Sequence, residues 1–151
     1  MSRELNGLIR SLRIELGILN DRIAETVGLN ARDLDILDVI DRDGPCTPKY
    51  LASRTGVRAA TLTGMLSRLE ADRWITRSRD SEDGRSAQLS STARFTELHA
   101  GYAAADEQVR KLAASLDPAM REAIAAFLAE VGDVARMASD DLSLRSRENR
   151  S

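Results

Sequence analysis

The chain has 151 residues, a formal net charge of −2 and a single cysteine, Cys46. One cysteine excludes an intrachain disulfide framework and suits a reducing compartment, so we expect a cytoplasmic protein. No apolar run approaches the roughly 18 residues that a membrane helix needs, and no signal-peptide segment is recognisable, so we expect no membrane partner. Aromatic residues make up only 3% of the chain, which favours one mainly helical domain over a β-sandwich.

The first predicted element is a long amphipathic helix over residues 5–28. Its apolar residues recur at three- and four-residue steps: Leu5, Leu8, Ile9, Leu12, Leu16, Leu19, Ile23 and Val27. A second helix is predicted to begin after Asn30, a capping residue, with Asp33 at the third helical position. The turn residues Asp43, Gly44 and Pro45 predict its end.

Two further short helices are predicted next, joined by a tight turn. Thr47 is a suitable N-cap, and Pro48 fits the first helical position because the amide there has no partner within the helix. Gly56 predicts the positive-φ turn that ends this helix. The following helix, residues 58–72, has a buried stripe and an opposite face that is mostly polar. The stripe consists of Leu62, Leu66 and Leu69, and the opposite face of Ala59, Ala60, Thr61, Thr63, Gly64, Ser67 and Arg68.

A basic β-hairpin is predicted after these helices. Ile75, Arg77 and Arg79 share one parity, and a glycine-centred turn leads to a second short run ending near Leu89. A helix–turn–helix followed by a basic hairpin is an arrangement that reads duplex DNA. Residues 47–85 carry a net charge of +3, whereas the flanking segments are both negative, so the positive potential is confined to this part. For the charge pattern alone, an ordinary solvated face remains the alternative.

The last third of the chain predicts two long helices and a tail. One helix covers residues 92–116, and another begins at Pro118 with Asp117 as its N-cap. Residues 141–151 are polar and predict a flexible tail. The terminal helices are too apolar to be covered by so small a central unit, which predicts that a second copy covers them in a homodimer. A monomeric bundle whose apolar stripes close on each other is the alternative.

The segment from residue 69 to residue 92 resembles the end of the recognition helix and the wing of the MarR-type winged helix–turn–helix regulators. The matching residues are Leu69, Glu70, Ile75, Arg77, Asp80, Asp83, Gly84, Arg85, Ser86 and Thr92, and upstream Leu51, Ala52, Val57, Thr61, Leu62 and Thr63. The resemblance implies a mainly α fold with a small β-hairpin wing. In this implied fold, residues 30–91 form the DNA-binding part, and residues 5–28 and 92–140 form the dimerisation helices.

The residues expected nearest DNA lie on the fourth helix and the hairpin, because a helix fits the major groove. On the helix they are Ala59, Ala60, Thr61, Thr63, Ser67 and Arg68. On the hairpin, Arg77 and Arg79 are expected to approach phosphates, and Arg85 resembles the family's wing arginine, which enters the minor groove. Asp83 is expected to orient the wing by pairing with an arginine. For any single arginine, simple solvation is the alternative.

The resemblance implies a transcription factor that binds double-stranded DNA, in the form of a ligand-responsive repressor on a pseudo-palindromic operator. The implied effectors are small aromatic acids or other phenolics, held in a crevice walled by the first, second and fifth helices. Four residues depart from the family pattern: Gly64, Arg73, Ser91 and Phe95. Gly64 replaces a side chain that is often basic, and it favours the alternative of a helical protein-interaction module without specific DNA binding. Arg73 replaces a glycine, so a non-glycine residue is expected at positive φ.

An enzyme is not expected, and neither is a cofactor. One histidine and one cysteine, far apart in sequence, form no catalytic or zinc-binding motif. His99 is expected to be a packed or partly exposed structural residue, with a place in the effector pocket as the alternative. Cys46 precedes a helix start, where a thiolate is favoured, which motivates a redox hypothesis for this residue.

Overall fold

The computed structural model describes residues 2–79 and 87–148. Its elements in chain order are α1 (Ser2–Thr26), α2 (Ala31–Asp43), α3 (Pro48–Thr55), α4 (Ala59–Ala71), β1 (Ile75–Arg79), β2 (Ala87–Ser91), α5 (Phe95–Ala114) and α6 (Pro118–Glu148). The predicted class, mainly α with one β-hairpin, is confirmed. The chain divides into two compact units, Met1–Tyr102 and Ala103–Ser151, so that the boundary falls within α5.

Helix caps set the boundaries of α2 and α3 as predicted. The Asp33 amide donates to Asn30 Oδ1 at 2.9 Å, and the Asn30 amide donates to Asp33 Oδ2 at 3.2 Å, which completes a capping box. The Thr47 hydroxyl accepts the Tyr50 amide at 3.1 Å, and Pro48 occupies the first turn. Gly56 ends α3 with φ 70°. A capping side chain of this kind contributes about 1 kcal/mol to stability.

The core of the first unit lies where the helix–turn–helix, the hairpin and the start of α5 meet. The predicted stripe of Leu62, Leu66 and Leu69 is buried. It belongs to one cluster with Leu34, Ile36, Leu37, Ile40, Leu51, Trp74, Ile75, Leu89, Phe95 and Leu98. Each such side chain contributes about 1.5–3 kcal/mol by leaving water. This cluster fixes α4 against its neighbours and leaves the other side of the helix in solvent.

The hairpin pairs in one antiparallel register, Ile75↔Ser91 through Arg79↔Ala87. The second strand therefore extends past Leu89, where the sequence pattern predicted its end. Cys46 adds a bridge at the other edge of β2: its amide donates to the Leu89 carbonyl at 3.1 Å, and the Leu89 amide donates back at 2.9 Å. The segment before α3 is thereby tied to the base of the hairpin.

The second unit consists of the end of α5 and all of α6. Asp117 caps α6 as predicted, accepting the Met120 amide at 2.9 Å. The helix continues to Glu148, so residues 141–148, where the polarity of the sequence predicts a flexible tail, are helical. Leucine and arginine in this stretch are good helix formers, which explains the continuation. From Ala103 onward, no side chain that the structure describes is buried.

Within the two described ranges, no helix is long and apolar enough to cross a membrane. The same ranges contain no group of three or more His, Cys, Asp or Glu residues arranged to hold a metal ion.

Candidate nucleic-acid interface

The exposed face of α4 consists mostly of small side chains. Ala59, Ala60, Thr63 and Ser67 are all exposed along it, as is Thr61 at its side. The Thr63 hydroxyl donates to the Ala59 carbonyl at 2.9 Å, and the Ser67 hydroxyl donates to the Thr63 carbonyl at 3.0 Å. Each hydroxyl hydrogen is therefore satisfied within the helix, and each oxygen still presents lone pairs to an outside donor. The face offers methyl groups and acceptors but no charge.

The beginning of α4 carries the positive end of the helix. Arg58 is its N-cap and makes no side-chain capping bond, so no side-chain acceptor from that position reaches the first-turn amides. Amides at a helix N-terminus, together with the helix dipole, favour an anion such as phosphate. The sequence analysis does not single out Arg58 as a contact. Its position just before the apolar stripe of α4, where a capping residue is usual, is a signal that could have identified it.

Arg68, which the sequence analysis places among the residues nearest DNA, is exposed and also forms an ion pair within the protein. Its two terminal nitrogens donate to Asp33 of α2, at 3.0 Å to Oδ2 and 2.5 Å to Oδ1. Asp33 is fully buried, while the Arg68 side chain is 45% exposed. Hydrogen bonds to Asp33 raise the pKa of Arg68 further above its ordinary value. A carboxylate that is shielded from solvent holds the guanidinium strongly, and each terminal nitrogen of Arg68 uses one N–H on Asp33.

Arg77 is also engaged within the protein. Its Nε donates to Glu70 Oε2 of α4 at 3.3 Å, and the two side chains are 35% and 40% exposed. Arg77 lies opposite the buried Leu89 in the hairpin register, so its side chain starts from the inner face of the hairpin. Arg79 is the last residue of β1, and its side chain lies outside the described residues, as do Asp83 and Arg85 entirely.

The base of the hairpin holds an open cavity of about 610 Å³. Its lining consists of Glu70, Arg73, Ile75, Thr76, Arg77, Thr92, Ala93 and Arg94. Arg73 has φ 62°, which confirms the expected positive φ at a non-glycine residue.

Arg94 is fixed at this base by three contacts. It lies 4.0 Å from the centre of the Trp74 ring, donates to the Asp72 carbonyl and pairs with Glu97 at 3.1 Å.

Cys46 and His99 occupy structural positions. Cys46 is buried, and burial, followed by the charge of Asp43, raises the pKa of its thiol, so the thiolate that the redox hypothesis requires is disfavoured. His99 is exposed, with Nε2 3.2 Å from Asp41 Oδ2 and its ring edge-on to Phe95. It thereby connects the start of α5 to α2, in keeping with the partly exposed structural role expected for it.

Comparison with protein families finds a match to the central part of the chain. The model described as "MarR family" matches residues 27–86, which include α2, α3, α4 and β1. Among curated proteins, the chain is 30% identical over 78 residues to the uncharacterized HTH-type transcriptional regulator YcgE of Bacillus subtilis (strain 168). That match covers 52% of this chain and 51% of YcgE, so the aligned segment spans about half of the relative's length.

Solved structures extend the likeness to most of the chain. The transcriptional regulator Tm0710 from Thermotoga maritima is 26% identical, with a TM-score of 0.65 over 87% of this chain and 94% of its own. Wild-type MarR in its apo form from E. coli is 20% identical, with a TM-score of 0.59 over 84% and 95%. A point mutant of MepR from S. aureus, bound to an oligodeoxyribonucleotide, is 21% identical, with a TM-score of 0.57 over 87% and 97%. At these identities the MarR and MepR structures show the fold alone.

Proposed function

We propose that the chain, whose residues 27–86 match the MarR family, is a winged helix–turn–helix regulator of this kind. In this proposal it binds double-stranded DNA sequence-specifically, as a homodimer that regulates transcription. In this role it is a regulator without catalytic activity or cofactor, acting in the cytoplasm. Residues 30–91 form its DNA-binding part, and residues 5–28 and 92–140 supply its dimerisation helices.

The observation that carries the proposal is the exposed face of α4. Leu62, Leu66 and Leu69 anchor the opposite side of the helix in the core, so this face is presented rigidly to solvent. An α-helix fits the major groove of B-DNA, where alanine and threonine methyl groups contact thymine and hydroxyl oxygens accept from bases. The proposed contacts on the helix are Ala59, Ala60, Thr61, Thr63 and Ser67.

Two sets of positive groups flank this helix in the proposed complex. Arg58 and the amides of the first turn of α4 meet a phosphate at one end. On the hairpin, Arg79 approaches the backbone and Arg85 enters the minor groove, with Asp83 orienting the wing by pairing with an arginine. Arg77 is shared with Glu70 through its Nε, so it is the weakest of the proposed contacts. The MepR variant that was solved with an oligodeoxyribonucleotide shares this fold, which supports DNA as the partner.

Exposed apolar side chains on the terminal helices support the homodimer. Leu8 of α1 is 63% exposed, Leu112 of α5 is 69% exposed and Val134 of α6 is 67% exposed. Apolar surface of this extent marks an interaction site, and a twofold dimer covers it with a copy of itself.

Light scattering is expected to give twice the mass of the chain. Leu112→Glu is expected to shift it toward the monomer, whereas Arg110→Glu, on the same helix and already exposed, serves as the control.

As a finer proposal, the regulator is a repressor that responds to a ligand. A small aromatic or phenolic effector would bind between α1, α2 and the first turns of α5, where Tyr102 donates to Asn20 at 2.9 Å. Binding would shift the population toward a dimer whose two α4 helices no longer match grooves about one turn apart. The direct test is whether such a compound, added to the protein on its operator, releases the DNA.

The decisive experiment is selection of bound sequences from random duplex DNA with the purified protein, at two salt concentrations. Enrichment of an inverted repeat at both concentrations supports a dimeric, sequence-specific regulator. Binding that vanishes with salt and enriches no sequence would overturn the proposal. That result would favour an interaction module of the same fold. The observation that supports this alternative is Gly64, which offers no side chain for a base contact on α4.

A further inference from the structure

The ion pair between Asp33 and Arg68 connects the DNA-facing helix to the point where α1 joins α2. Residues 27–30 link these two helices, and within the link the Leu29 amide donates to the Ala24 carbonyl at 2.9 Å. Asp33 lies three residues after Asn30, and its carboxylate accepts a hydrogen bond from the Asn30 amide. One carboxylate therefore accepts hydrogen bonds from the α1–α2 junction and from α4.

We propose that Asp33 and Arg68 are positioning residues: the pair sets the orientation of α4 and so determines which base sequence the protein prefers, without either residue touching DNA. This inference rests on the proposed function. It replaces the prediction that Arg68 itself contacts DNA, because both of its terminal nitrogens are held by Asp33.

The physical reason lies in the difference between apolar packing and a bidentate ion pair. Leu62, Leu66 and Leu69 hold α4 by contacts that have no preferred direction, so they define the rotation of the helix about its axis less sharply than a directional bond does. A planar guanidinium that meets a carboxylate through two parallel hydrogen bonds accepts only a narrow range of angles and distances. The pair lies to one side of the leucine stripe, where it resists that rotation.

Because the Asp33 carboxylate is buried, we expect the pair to contribute more to the orientation of α4 than to the stability of the fold. Asp33 is the single buried polar or charged residue among those that the structure describes. Buried ion pairs are often no more stabilising than apolar side chains of similar size, and their best-attested role is to specify one arrangement among several. An error of about 0.5 Å in the position of α4 would misplace the hydroxyls of Thr63 and Ser67 against the base edges, since hydrogen bonds depend on distance and angle.

The test compares two neutral double variants, in operator DNA that has been selected with the wild-type protein. Asp33→Asn with Arg68→Met removes the buried pair but keeps an oxygen for the Asn30 amide and the length of the arginine stem. Asp35→Asn with Arg32→Met removes an exposed ion pair from the same α2 helix, where the two groups are 3.3 Å apart, and is the matched control. Both leave the net charge unchanged.

The readout is the ratio of affinities for operator and scrambled duplex, together with the salt dependence of each. The buried-pair variant is expected to lose about tenfold or more of this ratio, comparable to one mismatched base pair, while its affinity for scrambled DNA and its salt slope stay as in the wild type. The control variant is expected to keep the ratio. A loss merely of folded fraction would lower both affinities equally and leave the ratio intact.

Arg68→Lys provides a second variant that keeps the charge beside Asp33 and therefore the fold. It loses the planar fork, so a smaller drop in the same ratio is expected. An unchanged ratio in both Arg68 variants would overturn the positioning role, and a salt slope lower by about one would instead make Arg68 a phosphate contact. If the wild-type protein itself enriches no sequence, the proposed function fails first, which is a separate outcome.

Discussion

The Thr92 hydroxyl donates a hydrogen bond to the backbone carbonyl of Arg73 across 2.7 Å, and Arg73 has φ 62°. The Arg73 amide in turn donates to the Glu70 carbonyl at 3.0 Å. These two bonds fix the turn that carries the chain from α4 into β1. The turn requires a left-handed backbone, which a residue with a Cβ adopts at a cost of about 1–2 kcal/mol.

Replacing Arg73 by glycine is therefore expected to stabilise the protein by about 0.5–1 kcal/mol, after allowance for the greater freedom of glycine in the unfolded chain. Urea denaturation measures the change as a higher midpoint with the same slope. Arg73→Ala is the control, because it removes the side chain and keeps the strain. If both variants have the same stability, strain at Arg73 is not what limits it.

Two helix-interior glycines are expected to respond in opposite ways to alanine. A Cβ added at Gly64 of α4 meets nothing within 4 Å, so Gly64→Ala should stabilise by about 1 kcal/mol through helix propensity. A Cβ added at Gly101 of α5 would lie 2.9 Å from Ile23 Cγ2 in the core, so Gly101→Ala should destabilise despite the same propensity. Thermal melts of the two variants give the comparison. Equal gains would show that α1 and α5 are not packed as closely as described.

Asp38 is expected to make the stability of the fold depend on pH. Partial desolvation by the surrounding protein, followed by the charges of Asp35 and Asp41, raises the pKa of Asp38 from 3.8 to about 6. The folded state then binds more protons than the unfolded state, so this group's contribution to stability falls as pH rises from about 3.8 to about 6 and stays lost above it.

Asp38→Asn should therefore stabilise the protein at about pH 7.5 and have little effect near pH 3.5. Because Asp38 is exposed, solvent screening limits the gain to less than about 1 kcal/mol. Urea titrations of both proteins at the two pH values check this. A gain of the same size at both would show that the amide acts through packing and not through charge.

The Cys46 thiol is expected to react slowly with iodoacetamide at neutral pH, and quickly once the protein is unfolded in urea. Burial both shields the sulfur and raises its pKa. Peroxide treatment should accordingly leave DNA binding unchanged in the wild type and in Cys46→Ser alike. Two results would restore the redox hypothesis. One is fast alkylation of the folded protein, and the other is DNA binding that peroxide weakens in the wild type but not in Cys46→Ser.

Local signals predicted the order of the elements well. Asn30 and Thr47 are capping residues whose bonding partners lie within the next three residues, so short-range chemistry determines where α2 and α3 begin. The same holds for Asp117 at the start of α6. The end of α6 is harder to predict, because polar residues of high helix propensity can continue a helix that is already formed.

The engagement of the arginines could not be predicted from the sequence. Arg68 and Asp33 are 35 residues apart, and only the packing of α2 against α4 brings them together. Arg77 and Glu70 meet because the chain reverses at Arg73. On a helical projection Arg68 belongs to the polar face, and the projection carries no information about which neighbouring helix provides a buried carboxylate.

Whether the exposed face of α4 reads bases can be measured by repeating the sequence selection with the double variant Thr63→Ala and Ser67→Ala. Both hydroxyls bond a backbone carbonyl four residues back, as those of Thr96 and Ser115 bond one three residues back. Thr96→Ala with Ser115→Ala is thus the matched control. We predict that the α4 variant loses preference at particular positions of each half-site, whereas the control enriches the wild-type motif. The same motif at the same strength from both variants would show that these hydroxyls do not read bases.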